Sequence, residues 1–169
     1  MGFSGEFKRV PALRLRELLA DPESIGGELY PDETPEDAGA WFSIEKSFDG
    51  IRYLVERLSE TGVIPAVDPV PWFAPLLAGS RTGAELHYGD VCYRTPEQVG
   101  EIAAALSRVL EDDLRQVYDP DVMMAESVYP ETWDRGDGEF EYLWEHYQAL
   151  RDFYAEAARH GEGVLLWLA

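Results

Sequence analysis

From Gly138 to His160 the chain runs without a proline or an internal glycine, and its apolar residues keep a helical period. Phe140, Leu143, Trp144, Tyr147, Leu150, Tyr154, Ala157 and Ala158 fall on one face, which Tyr142, His146 and Phe153 extend. At 100° per residue the apolar arc covers roughly 200° of the helix. The opposite arc holds Glu141, Glu145, Gln148, Asp152, Glu156 and Arg159. A helix so widely apolar lies across a core, or shares its face with a second copy of the chain. Gly161 is a natural C-terminal cap, and Gly163 to Leu168 read as a final strand.

The remaining elements are expected around this helix. Phe3 to Val10 read as a strand, and Pro11 opens a helix carrying Ala12, Leu15, Leu18 and Leu19. Residues 26–39, with Gly26-Gly27, Pro31, Pro35 and Gly39, read as a loop. Trp41 to Ile44 suit a short strand. Ser47 caps a helix with the stripe Ile51, Leu54, Val55 and Leu58, ended by Thr61-Gly62. Residues 63–84 are rich in proline and glycine, with a short helical piece at 72–77. Leu86 to Arg94 read as one strand. Thr95-Pro96-Glu97-Gln98 is a capping box, and Val99, Ile102, Ala103, Leu106, Val109 and Leu110 extend its helix. Asp119-Pro120 opens a further short helix, closed by Tyr129-Pro130. The expected fold is α+β: one domain over 1–169, a small mixed β-sheet packed against several helices.

Composition narrows function by exclusion. Of 169 residues, 33 are acidic and 14 basic, a net charge of −19, while 46% are hydrophobic and 12% aromatic. Disordered chains lack that apolar content. So acidic a chain is not built for nucleic acid or for anionic membrane surfaces. One cysteine leaves no internal disulfide, no basic n-region precedes an apolar segment, and the cytoplasm is the expected compartment.

The motifs of catalysis are missing. There is no H-E-x-x-H, Walker loop or Gly-x-Ser-x-Gly. Neither Asp119-Pro120-Asp121 nor Asp134 to Glu139 keeps the alternating ligands of a calcium loop. His146 and His160 on one helix stand about 21 Å apart, too far to share an ion or a proton. His87 lies near Asp90 and Cys92, but in one strand His87 and Cys92 face opposite sides, so Cys92 reads as a small buried hydrophobe. No metal, no cofactor and no catalytic residue is expected.

The charge is unevenly spread. Residues 111–145 hold twelve acids against Arg115 and Arg135, a local sum of −10, while residues 1–20 sum to +2. Such a field steers a basic partner. On the long helix Glu141, Glu145, Asp152 and Glu156 form the expected acidic partner face. Their i,i+4 repulsion costs about 0.2–0.5 kcal/mol per pair, so helix stability does not explain them.

Order and wording across the chain carry a resemblance. The opening MGFSGEFKRV, the central EKSFDGIRYLV, the helix start TPEQVGEIAAAL, the run YDPDVMMAESVYPETWD and the closing EYLWEHYQALRDFYAEAARHGEGVLLWL together resemble the YfbM-like family of bacterial proteins of unknown function. The resemblance implies a compact α+β domain and no established activity. Where that family has KSWHGIH-like wording, this chain has Phe48 for the tryptophan and Asp49 and Arg52 for the histidines. Imidazole chemistry at that place therefore does not transfer.

Two functions are in view. The first is a non-catalytic, immunity-like interaction domain that masks a basic protein partner. The second is a small-molecule site or enzyme pocket walled by Trp41, Trp72, Tyr88, Tyr93 and Trp133, with Lys46, Asp49, Arg52, His87, Tyr88 and Asp90 as its polar groups. A homodimer through the long helix is a third expectation.

Overall fold

The computed structural model describes residues 2–30, 40–62, 79–86 and 88–169. The centre is a five-stranded sheet of β1 (Gly5–Pro11), β2 (Trp41–Glu45), β3 (Ser80–Leu86), β4 (Gly89–Arg94) and β5 (Glu162–Leu168), in the order β2-β1-β5-β4-β3. The expected mixed sheet is antiparallel at every pairing. The first and last strands are partners along their whole length, from Gly5 opposite Leu168 to Pro11 opposite Glu162.

Helices cover both faces. On one lie α1 (Ala12–Ala20) and α2 (Ile25–Leu29), whose Leu15, Leu18, Ile25 and Leu29 pack with Val10, Val91, Leu165 and Trp167. On the other lie α3 (Phe48–Thr61), α4 (Pro96–Leu106), α5 (Glu111–Val117), α6 (Pro120–Ala125) and α7 (Gly138–His160), packed with Phe7, Ile44, Cys92, Val164 and Leu166. This explains the unbroken apolar run of β5, because alternate residues enter two different cores. The apolar arc of α7 is spent inside the chain: Phe140, Leu143, Tyr147, Leu150, Phe153, Tyr154 and Ala157 are buried. A homodimer would need another surface.

Local rules place most ends. Thr95 Oγ1 accepts from the Gln98 amide at 3.3 Å, and Gln98 Oε1 accepts from the Thr95 amide at 3.0 Å. Asp119 caps α6 through the Val122 amide, and Gly161 closes α7 at a φ of +65°. Four expectations need correction. Gly26 and Gly27 sit in α2, because burying Ile25 and Leu29 against the sheet outweighs the helix cost of glycine, about 1 kcal/mol each. Ser47 precedes α3, but its hydroxyl donates back to the Ile44 carbonyl at 2.6 Å and leaves the helix amides alone. The stretch from Leu86 to Arg94, expected as one strand, instead holds the end of β3 and all of β4, which pair with each other antiparallel. The stripe after α4 breaks: Leu110 is 66% exposed, and its amide donates to Asp113 Oδ2 at 2.8 Å, starting α5. The loop at 31–39 and the helical piece at 72–77 lie outside the described residues.

The face under α1 and α2 buries charge. Glu6, 8% exposed, accepts hydrogen bonds from Ser4 Oγ at 2.8 Å, Ser43 Oγ at 2.7 Å and Trp41 Nε1 at 2.8 Å. Lys8, 4% exposed, donates to the carbonyl of Glu28 at 2.9 Å and to its carboxylate at 2.8 Å, which Arg14 Nε also reaches at 3.0 Å. Burial opposes ionisation of Glu28, but Lys8 and Arg14 outweigh it and lower its pKa. The sign follows. A carboxylate whose folded pKa lies below its unfolded value stabilises the fold above the unfolded value, and that share disappears as pH falls through the folded one. Glu28→Gln is expected to cost about 2 kcal/mol near pH 7, the range of a hydrogen bond to a charged group. The difference from wild type should begin to shrink below about pH 4.3, the ordinary glutamate value, and continue to shrink as pH falls through the lower folded value. Urea titrations at several pH values check this, and a difference that grows on acidification contradicts it.

Candidate functional site

The residues expected to line one pocket are divided among several places. Lys46 lies in the turn between β2 and α3 and is exposed, without a carboxylate within ion-pair distance among the described residues. It borders a cavity of about 330 Å³ with Arg135, Glu139 and Tyr142. Asp49 and Arg52 pair with each other in the first turns of α3, Nε to Oδ1 at 2.6 Å, and Arg52 also reaches Glu56 at 2.6 Å. Burial works against the Arg52 charge, but Asp49 and Glu56 outweigh it and raise its pKa. The other oxygen of Asp49 accepts from the Tyr129 amide at 2.9 Å, so this pair ties the segment after α6 to α3. Tyr88 and Asp90 sit at the β3–β4 hairpin, beside a cavity of about 390 Å³ bordered by Arg81, Cys92 and Trp167. Arg81 pairs with Asp90 at 3.1 Å. His87 and Trp72 lie outside the described residues.

The aromatic residues scatter likewise. Trp41 meets Trp167 edge to face at 4.9 Å on the α1–α2 side. Trp133 is buried on the opposite side, and Tyr93 packs on the α1–α2 core. Phe3 touches both Tyr88 and Tyr129, with ring centres 5.1 and 6.1 Å apart.

The expected acidic face of α7 is partly neutralised by the chain itself. Glu141 meets Arg115 at 3.4 Å, and Asp152 meets Arg151 at 3.2 Å. Glu156 meets Arg159 at 2.5 Å, with His160 at 3.4 Å and Arg9 at 3.7 Å, and the Arg159 bond chiefly lowers its pKa. Among the four, Glu145 alone has no such contact within the described residues.

A different arrangement stands at the start of α7. There the end of α5, the start of α6 and a 3-10 turn at Trp133–Arg135 enclose a cavity of about 290 Å³. Its wall is aromatic. Tyr118 and Phe140 meet edge to face at 5.3 Å, and the Tyr118 hydroxyl donates to the Trp133 carbonyl at 3.2 Å. Trp133, 1% exposed, donates its Nε1 to the Val128 carbonyl at 2.8 Å. The guanidinium of Arg115 lies 3.9 Å over the Phe140 ring, held by Glu111 at 2.7 Å. Asp121, Asp134 and Asp137 border the opening, all exposed and without a cationic partner among the described residues. Burial, then the charges of Glu139, Glu141 and Asp137, push the Tyr118 pKa up to about 12.

This site was half legible. The −10 of residues 111–145 marked the region, but no spacing in the sequence announces that Tyr118, Trp133 and Phe140 converge. Chemically the place suits a cation with an apolar stem. Among the described residues no three His, Cys, Asp or Glu side chains are grouped to hold a metal ion, and no helix is long and apolar enough to cross a membrane.

Known proteins place the fold. The solved structure of YfbM from Escherichia coli, a protein of unknown function, superposes with a TM-score of 0.68 over 98% of this chain and 99% of that one. At 16% identity this likeness speaks for the fold alone. No curated protein matches the chain. The profile of a domain of unknown function, DUF1877, matches residues 1–167, and the chain therefore belongs to the DUF1877 family.

Proposed function

We propose that this domain is a non-catalytic, immunity-like interaction module that acts in the cytoplasm and docks a basic protein on the surface formed by α5, α6 and the start of α7. The observation that carries the reading is the acid-bordered, aromatic-walled cavity at Asp121, Asp134 and Asp137. The three carboxylates have no cationic partner among the described residues and meet only the helix starts beside them, whereas a docked cation would gain strength by desolvating them. The surrounding exposed acids steer the approach, and salt weakens it.

The test is affinity capture from the native lysate at low and high salt, with three baits. These are the wild type, a triple variant Asp121→Asn, Asp134→Asn, Asp137→Asn, and a charge-matched control Glu23→Gln, Glu85→Gln, Glu101→Gln. The expected result is a basic protein, identified by mass spectrometry, held by wild type and control at low salt and lost by the aspartate variant. If no basic protein is held, or if the aspartate variant holds it equally well, the reading fails.

A further inference from the structure

We infer that His146 of α7 and Glu45 at the end of β2 form a proton-operated latch. When the imidazole takes up a proton, its Nε2–H closes on the Glu45 carboxylate and fixes the turn between β2 and α3 against α7. The latch is separate from the docking of a basic partner and does not depend on it.

Geometry supplies each part. His146 Nδ1 lies 2.9 Å from the Tyr142 carbonyl. A carbonyl only accepts, so this partner assigns the hydrogen of the neutral ring to Nδ1 and leaves a lone pair on Nε2. Nε2 stands 3.7 Å from Glu45 Oε2. In the neutral state a lone pair therefore faces a carboxylate, and neither gains from the other. Protonation turns Nε2 into a donor and the mismatch into an ion pair, with no change in the ring's orientation. The Tyr142 hydroxyl donates to the same Oε2 at 3.4 Å. Burial first, then the charge of Glu45, raises the Tyr142 pKa to about 12, so that hydroxyl keeps its hydrogen wherever histidines titrate.

The receiving side is placed to respond. Glu45 has a φ of +52°, a left-handed conformation that costs a glutamate free energy. Among the described residues its carboxylate meets Tyr142 and His146 alone. Lys46 beside Glu45 in the turn and Glu145 beside His146 on α7 are the charged neighbours of the pair in sequence. No other carboxylate among the described residues, whether of α3, α4, α5 or β5, comes within ion-pair distance of the ring. The turn also carries Lys46 to the cavity of about 330 Å³ that Arg135, Glu139 and Tyr142 border, so the latch acts on one wall of that cavity. The sign follows from the partner. A histidine that gains a carboxylate on folding adds stability on the acid side, and that share is lost as pH rises through its titration.

The test follows the full chain by NMR from about pH 8 to about pH 5.5, a span in which glutamates stay largely ionised. At the upper end the imidazole nitrogen shifts should report the Nδ1–H tautomer. On acidification the Lys46 and Ser47 amide signals should move in step with protonation of the His146 ring. Glu45→Gln, which keeps an acceptor for Tyr142, should stop that movement. In urea titrations Glu45→Gln should lower the folding equilibrium constant about two- to fivefold at the acid end, the range of a partly exposed ion pair, and less at the alkaline end. In a His146→Gln background that pH-dependent part should vanish. An Nε2–H tautomer, turn amides that do not follow the ring, or a Glu45→Gln effect equal at both ends overturns the latch.

Discussion

Replacing Trp133 by alanine is expected to cost about 3–5 kcal/mol of folding stability, the range for deleting a large buried aromatic. That is a large share of a domain whose total stability is about 5–15 kcal/mol. The size follows from where the ring sits. Trp133 belongs to a three-residue 3-10 turn, too short to hold itself in place. Its indole is 1% exposed, donates to the Val128 carbonyl, and projects against Gly50 of α3 beside Leu143 of α7. One side chain therefore joins α3, the segment after α6 and α7. Truncating it opens a cavity and removes one of the two hydrogen bonds that the Val128 carbonyl accepts, leaving the one from the Glu131 amide at 2.9 Å. Urea unfolding of wild type and Trp133→Ala reads the cost from the shift in midpoint at constant slope. A loss below about 1 kcal/mol would show that this turn is not packed as described. Trp133→Phe should recover most of the loss, because it refills the space and forgoes only the indole hydrogen bond.

The same residue shows what a sequence reveals and what it withholds. The capping box at Thr95 and Gln98, the cap at Asp119, the span of α7 and its closure at Gly161 were all readable, because each depends on residues within one turn of one another. The break at Leu110 was not. Its apolar side chain continues the periodic stripe, yet the competing signal was the acidic triplet Glu111-Asp112-Asp113, which starts a new helix through the Asp113 carboxylate. Nor was the hairpin at 80–94 readable, since its outer strand alternates short and charged residues, with Thr82 turned inward and Arg81 and Glu85 outward. Glycine misled twice in one direction: Gly26 and Gly27 looked like a loop and are helical. The candidate site failed for a different reason. Lys46, Asp49 and Arg52 are close in sequence, but the turn after β2 and the start of α3 send Lys46 to one cavity and lock Asp49 to Arg52. Tyr118, Trp133 and Phe140 come together only because three separate elements pack, and no local pattern records that.

Gly50→Ala tests that packing from the other side, and its sign is expected to depend on Trp133. Inside a helix alanine is favoured over glycine by about 0.5–1 kcal/mol, an upper bound for Gly50 in the first turn of α3. Here a methyl group would lie 2.7 Å from both Trp133 Cη2 and Leu143 Cδ2, and 2.9 Å from Trp133 Cζ2. Leu143 can give way by turning the end of a flexible side chain. The indole cannot, because its ring is rigid and its nitrogen is tied to Val128. Overpacking of this kind costs about 1–3 kcal/mol, so the clash outweighs the helix gain and the single variant is destabilised. In a Trp133→Leu background the ring is gone, the methyl fits, and the helix preference is left to act. Gly50→Ala should then be neutral or stabilising, with a coupling of at least about 1 kcal/mol across the four-protein cycle. Equal costs in both backgrounds would rule out the ring as the obstacle. The same contact reaches the docking surface. Trp133 carries Asp134 on the next residue, and its carbonyl holds the Tyr118 hydroxyl. Pushing the indole away from α3 should therefore weaken capture of the basic partner although Gly50 itself does not line the cavity. Gly27→Ala, at a helical glycine whose added methyl meets nothing within 4 Å, should leave that capture unchanged.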